Sequence, residues 1–204
     1  MFDRKSAIVG AMSPHGCNGA DGHRRVRIGE AIGWDLVQIA AFAATSLELE
    51  STLRSIFRLD LPTNTGEVLN AGDLRLLKTG SEQYWIVIPD GDDLLRDLVV
   101  SVRPDVGAVT SLSHSRTRIV VEGSAARDLL AKGIALDLHT DVFVPGRFAQ
   151  TGLHHTPVVI YRSGPSRYEL FAMRTFALSV WEWLIDASLP FGYEIVAVGR
   201  DPLA

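Results

Sequence analysis

Apolar and polar positions along the chain fall into short runs of strand character, separated by stretches with helical spacing. Trp34–Phe42 (WDLVQIAAF) is apolar without strict alternation, which predicts a strand partly buried on both faces. In Thr45–Phe57, Leu47, Leu49, Leu53, Ile56 and Phe57 give the apolar face of a helix. Thr45 or Ser46 stands where a cap belongs, and Glu48 and Glu50 fall in the first turn, where the helix dipole favours acids. Leu74–Thr79 and Gln83–Pro89 predict a hairpin turning at Gly80-Ser81. In its second strand Tyr84, Ile86 and Ile88 alternate with Trp85 and Val87, so both faces need cover. Asp90-Gly91-Asp92 opens a helix over Asp93–Val102, which Pro104 stops.

The second half repeats this rhythm. Val109–Ser113 and Thr117–Glu122 are strands, the latter with Thr117, Ile119 and Val121 on one face and Arg118, Val120 and Glu122 on the other. Ser124 is an N-cap candidate for a helix over Ala125–Lys132, with Gly133 as its C′ residue. Phe148–Leu153 and Val158–Arg162 pair around His154–Pro157, and Tyr168–Met173 adds a strand. Thr175 caps a last helix, Phe176–Ala187, with Phe176, Val180, Trp183 and Leu184 on one face. Tyr193–Val198 closes the chain as a strand. Helices interleave with hairpins and not with every strand. The predicted class is therefore α+β, with mixed or antiparallel sheets and packed helices, not a doubly wound α/β fold. Both halves run strand, helix, hairpin, helix, which leaves a distant duplication open.

Residues 1–33 are rich in Gly, Ser, Arg and His and are expected to form an arm, open to ordering on a partner, ahead of one domain over 34–204. The 47% hydrophobic content can fill a core, and a net charge of −4 gives no reason to expect nucleic acid. The most apolar run, Ile39–Leu49, is too short for a membrane span and is broken by Thr45, Ser46 and Glu48. Arg4 and Lys5 adjoin Asp3 with no continuous apolar stretch after them, so no signal peptide is expected. The single cysteine, Cys17, cannot form a disulfide within the chain and suits a cytoplasmic protein.

Candidate chemistry is sparse. His15, Cys17 and His23 lie close in sequence, but a zinc site needs a fourth ligand from elsewhere. His139 lies near Asp137 and Asp141, yet acid–base work also needs a reacting group. His154 and His155 should point to opposite sides if the backbone there is extended. Ser113-His114-Ser115 sets hydroxyls beside an imidazole; a strand-end turn with hydroxyls closing backbone groups accounts for it. No GxGxxG or Walker pattern occurs. Arg116 and Arg147 suit a carboxylate, whether a ligand's or a partner chain's. Trp181 and Trp183 lie about 200° apart on a helix, so one should face the core and the other is open to a partner.

Four ordered blocks carry a resemblance: Ser113-His114-Ser115-Arg116-Thr117, Ala126–Gly133, Leu136-Asp137-Leu138-His139 and Pro145–Thr151. Together with Arg174, Phe176, Trp181 and Trp183 they resemble the gamma subunit of heterotetrameric sarcosine oxidase. The similarity runs from about Leu59 to Phe191 and is strongest over Val109–Ala187. Nothing before Trp34 matches. The resemblance implies a fold like the folate-binding module of the glycine-cleavage aminomethyltransferase. Ala135-Leu136-Asp137-Leu138 stands where that enzyme has "TNDL", and Val159-Ile160-Tyr161-Arg162 where it has "IVYR". Its acidic pair before that strand is replaced here by Thr156-Pro157, so the fold looks kept and the folate chemistry lost.

The resemblance implies a non-catalytic gamma subunit. The assembly would demethylate sarcosine oxidatively to glycine, yielding hydrogen peroxide and either formaldehyde or methylene-tetrahydrofolate. FAD, FMN, NAD and zinc would belong to the partner subunits, and tetrahydrofolate to the complex. The partners would be the alpha, beta and delta chains, chiefly alpha. No catalytic, cofactor or metal residue is expected in this chain; His114, Arg116, Arg147 and Trp181 are the candidate partner-interface residues. The alternative is a stand-alone folate-binding protein or one-carbon transferase on the same fold.

Overall fold

The computed structural model describes residues 5–11, 15–91, 93–197 and 199–200. They divide into two compact units. One comprises the described residues of 34–113, the other those of 1–33 and 114–204.

The 34–113 unit begins with a buried strand, as the apolar run from Trp34 predicts. Strands β3 (Trp34–Ala41), β4 (Val68–Ala71), β5 (Leu74–Gly80), β6 (Gln83–Pro89) and β7 (Gly107–Ser111) form an antiparallel sheet in the order β4-β5-β6-β3-β7. Helices α1 (Ser46–Phe57) and α2 (Leu94–Ser101) complete the unit. Val37, Ile39, Leu76, Tyr84, Ile86 and Ile88 pack with Leu49, Leu53 and Leu98 of the helices. Trp85 and Val87 on the alternate positions are buried too, as the double-sided apolar pattern requires. Thr45 is the residue preceding α1, but it makes no side-chain cap. Its hydroxyl turns instead to the carbonyls of Phe42 and Val106. The α2 expectation holds apart from Asp92, which lies outside the described residues.

Helix α1 ends on Arg58 in the left-handed region (φ 54°), with its N–H donating to Arg54 O at 2.8 Å. A Cβ is disfavoured there, and glycine is the usual occupant. Arg58→Gly is expected to raise stability by about 0.5–1 kcal/mol, read as a higher urea midpoint at unchanged slope.

The other unit holds a seven-stranded sheet of β1 (Gly16–Cys17), β2 (Val26–Ala31), β8 (Arg116–Glu122), β9 (Phe148–Leu153), β10 (Thr156–Gly164), β11 (Arg167–Met173) and β12 (Tyr193–Ile195). The order is β1-β12-β2-β8-β11-β10-β9; only β12 and β2 run parallel. Helices α3 (Ala126–Ala131) and α4 (Ala177–Ser188) bury Leu129, Leu130, Val180, Trp181 and Leu184 among Val26, Ile28, Ile119, Val121, Ile160, Tyr168 and Leu170. Apart from β2, inserted beside β8, and the two-residue β1 at the edge, the two sheets share one order: β9-β10-β11-β8-β12 repeats β4-β5-β6-β3-β7. The chain order of strand, helix, three strands, helix, strand also recurs. The duplicated rhythm of the sequence is thus a duplicated topology.

Four expectations change here. Residues 26–31, expected in an arm, are a core strand, and Ile8, only 2% exposed, joins the same core. Buried Glu30 holds the segment before it, accepting from the Ser6 hydroxyl, Ala7 N–H and Thr117 hydroxyl, while Arg174 donates to Lys5 O. Ser124 does not cap α3; Ala125 occupies that position. Gly133 is not in a left-handed turn. A Cβ on it would sit 2.4 Å from Cζ2 of Trp183, so the glycine is there for the indole. Lastly, α4 starts one residue later, after a 3-10 turn over Arg174–Phe176. Its buried face is Ala177, Val180, Trp181, Leu184 and Ser188, which leaves Phe176 exposed and Trp183 half-buried. Of the expected last strand, Tyr193–Ile195 is formed, and Val198 lies outside the described residues.

Candidate partner interface

The four candidate interface residues do not come together. His114 is exposed at the turn before β8 and Arg116 is half-buried at the strand's first position, opposite Met173 of β11. Arg147 precedes β9 at the other end of the sheet. Its carbonyl accepts from Arg162 N–H, and Arg162 pairs with Tyr168, itself opposite Val121 near the end of β8. Arg116 is five positions from Val121 along β8, so the two arginines are about 17 Å apart along the strands at the usual rise per residue. Trp181 is 2% exposed and belongs to its own unit's core. It cannot present its ring to a partner.

The surroundings of Arg116 sharpen its role. Burial alone lowers its pKa. Exposed Met173 ends β11, exposed Phe176 and Leu178 follow within five residues, and Arg174 N–H donates to Ser115 O, tying that stretch to the His114–Arg116 turn. Met173 stands opposite this partly desolvated guanidinium, and exposed apolar and arginine side chains are the composition that protein interfaces favour. Sequence reasoning missed Met173 and Leu178, and placed Phe176 in the core. The Ser113 hydroxyl accepts from Leu36 N–H at 3.0 Å, which is the backbone-closing role expected for that turn.

Two buried charged clusters also escaped the sequence. Arg118 Nε donates to Glu169 Oε2 at 2.8 Å, with the side chains 7% and 0% exposed. Lys78 Nζ and the Tyr84 hydroxyl both meet Glu50 Oε1, at 3.3 and 2.9 Å, and each other at 3.1 Å. Burial would raise the Glu50 carboxyl, but hydrogen bonds from Tyr84 and Lys78 and the charges of Lys78 and Arg54 outweigh it and hold it below its ordinary 4.5. A depressed carboxylate contributes stability above its unfolded pKa and loses it as the pH falls through the folded value. Glu50→Gln is therefore expected to cost about 2 kcal/mol at pH 7 and to flatten the loss of stability below about pH 4.5. Urea midpoints of both chains from pH 7 to 3 measure this.

The histidines build no cluster. His15 Nε2 faces the Tyr193 hydroxyl at 3.3 Å. Asp137 accepts from His139 N–H, and Asp141 lies 3.7 Å from His139 Nδ1 on an exposed turn. His154 adopts φ 54°, so the tight turn brings the His154 and His155 rings to 4.0 Å instead of sending them to opposite sides. Among the described residues no three His, Cys, Asp or Glu side chains assemble as a metal site. Among the same residues no helix is long and apolar enough to cross a membrane.

A model of the "sarcosine oxidase, gamma subunit family" matches residues 40–190. The chain belongs to the sarcosine oxidase gamma subunit family. The match begins well before Leu59, where the resemblance in the sequence starts. A sarcosine oxidase subunit gamma from Arthrobacter sp is 29% identical over 161 residues, 78% of this chain and 79% of that one. Heterotetrameric sarcosine oxidase from Corynebacterium sp. U-96, solved with pyrrole 2-carboxylate, contains a chain similar at 26% identity and a TM-score of 0.77, over 85% of this chain and 88% of that one. The aminomethyltransferase T of the Bartonella henselae glycine cleavage system shares the fold, with a TM-score of 0.58 at 15% identity, over 86% of this chain and 48% of that one.

Proposed function

We propose that this chain is the non-catalytic gamma subunit of a heterotetrameric, flavin-dependent sarcosine oxidase. It would dock chiefly on the alpha subunit through the surface of His114, Arg116, Met173, Phe176 and Leu178. The observation that carries the reading is the family match over residues 40–190 together with the fold shared with a chain of the Corynebacterium complex. In this assembly the oxidative demethylation of sarcosine to glycine, with hydrogen peroxide and formaldehyde or methylene-tetrahydrofolate as products, takes place in the partners. FAD, FMN, NAD and zinc sit there as well. A stand-alone folate protein would need a carboxylate available to the pterin. Thr156-Pro157 supplies none, and the buried carboxylate Glu169 already meets Arg118.

Co-expression of the tagged chain with candidate alpha, beta and delta subunits tests this. A stoichiometric flavin-coloured complex by pull-down and mass is the expected result, and Arg116→Glu should reduce recovery about tenfold or more while the circular dichroism spectrum stays unchanged. A soluble chain that passes through all three partners unbound would sink the subunit reading. Intact assembly with Arg116→Glu would sink only the assigned surface.

A further inference from the structure

The turns beside β10 and β11 form a pocket of about 150 Å³, whose lining includes Gly123, Ser124, Arg127, Arg162, Ser166 and Tyr168. Two features of it are costly as they stand. Arg162 is 3% exposed and carries a full charge. Among the described residues its hydrogen bonds go to carbonyls: Nε to Gly164, Nη1 to Phe143 and Thr140, and Nη2 to Pro165. One of the five guanidinium donors is left over. Among the described residues no carboxylate lies within ion-pair distance of it. Buried charges are ordinarily paired, because leaving water costs far more than neutral dipoles return.

Tyr168 is the second feature. Its side chain is fully buried, and its hydroxyl has no hydrogen-bond partner among the described residues. Burial raises its pKa, with Arg162 and Arg127 opposing, so at neutral pH the phenol is a proton donor. The Arg162 guanidinium lies 5.7 Å from its ring centroid. At the mouth, exposed Arg127 holds Asp128 through Nε and Nη2 at 3.1 and 3.0 Å. Of the other acids nearby in sequence, Glu122 pairs with Arg167 at 3.3 Å and Glu169 with Arg118 at 2.8 Å, while Asp137 accepts from His139 N–H and Asp141 lies 3.7 Å from His139 Nδ1.

We infer that this pocket binds a small oxyanion, a tetrahedral phosphate or sulfate or a ligand's terminal carboxylate. Its charge offsets Arg162, the Tyr168 hydroxyl donates to it, and Arg127 closes over it. The volume is that of about five waters, enough for an oxyanion with its hydration. The site is independent of the subunit reading and survives its failure.

Calorimetric titration of the full chain with inorganic phosphate, sulfate and acetate at constant ionic strength tests the inference. One-to-one saturable binding is expected. Phosphate or sulfate ahead of acetate identifies a tetrahedral ligand, and the reverse order a carboxylate. Arg127→Gln and Tyr168→Phe should each weaken binding about tenfold. Absence of saturable heat with all three anions would overturn the site. So would binding that neither variant changes, which marks an adventitious ion only.

Discussion

Replacing Glu169 with glutamine is expected to destabilise the fold by about 3–5 kcal/mol, and replacing Arg118 with methionine by a similar amount. Both side chains sit on neighbouring strands of the seven-stranded sheet, where Arg118 faces Phe171 and Glu169 faces Val120 in register. Each is thus two residues along from the other's partner, within diagonal reach. Their ion pair at 2.8 Å is almost wholly out of water. Removal of either partner takes away the charge that made burial of the other tolerable. The double variant Arg118→Met with Glu169→Leu is expected to cost less than either single change, because no charge then has to be desolvated. Urea denaturation of the four chains measures the coupling. Additive costs would mean that the two groups are not acting as a pair, and would reopen Glu169 as a carboxylate available to a ligand.

This pair shows what the sequence could and could not carry. The alternation in Thr117–Glu122 placed Arg118 on the face opposite Ile119 correctly, since strand period is local. That Arg118 is buried, and that a residue 51 positions away neutralises it, depends on strand pairing. The strand beginning at Trp34, the 74–89 hairpin and the repeated element order were legible because each is fixed by patterns within about ten residues. Strand β2 was not, because Arg27, Gly29 and Glu30 interrupt its apolar positions, and Glu30 is buried only through the Ser6, Ala7 and Thr117 donors. At the candidate interface, Arg116 and His114 were read from their types. Met173 and Phe176 stand out only once the end of β11 is seen to leave them in water. Trp181 was misplaced for a local reason. Its spacing with Ala177, Val180, Leu184 and Ser188 is the regular i, i+3, i+4, i+7, i+11 stripe, and a helix start set one residue too early concealed it.

Trp181→Ala should accordingly behave as a core deletion, with a loss of about 3–5 kcal/mol, and not as an interface change. The indole packs in the same core as Val180, Leu184, Ile195 and Tyr193, at 2% exposure. Truncation opens a cavity that two sheet strands and a helix cannot collapse to fill. Trp183 is the informative contrast. It is half-buried over Gly133, where a Cβ would lie 2.4 Å from its ring, so Trp183→Ala should cost about 1–3 kcal/mol. Arg116→Glu, in turn, should leave the urea midpoint nearly unchanged. Thermal melts and partner pull-downs on the three variants separate the roles. Weak recovery of Trp181→Ala should follow the fraction unfolded and be restored at lower temperature, whereas that of Arg116→Glu should not. A Trp181→Ala chain with parental stability but no partner binding would return Trp181 to the interface and require α4 to rotate by nearly half a turn on its sheet.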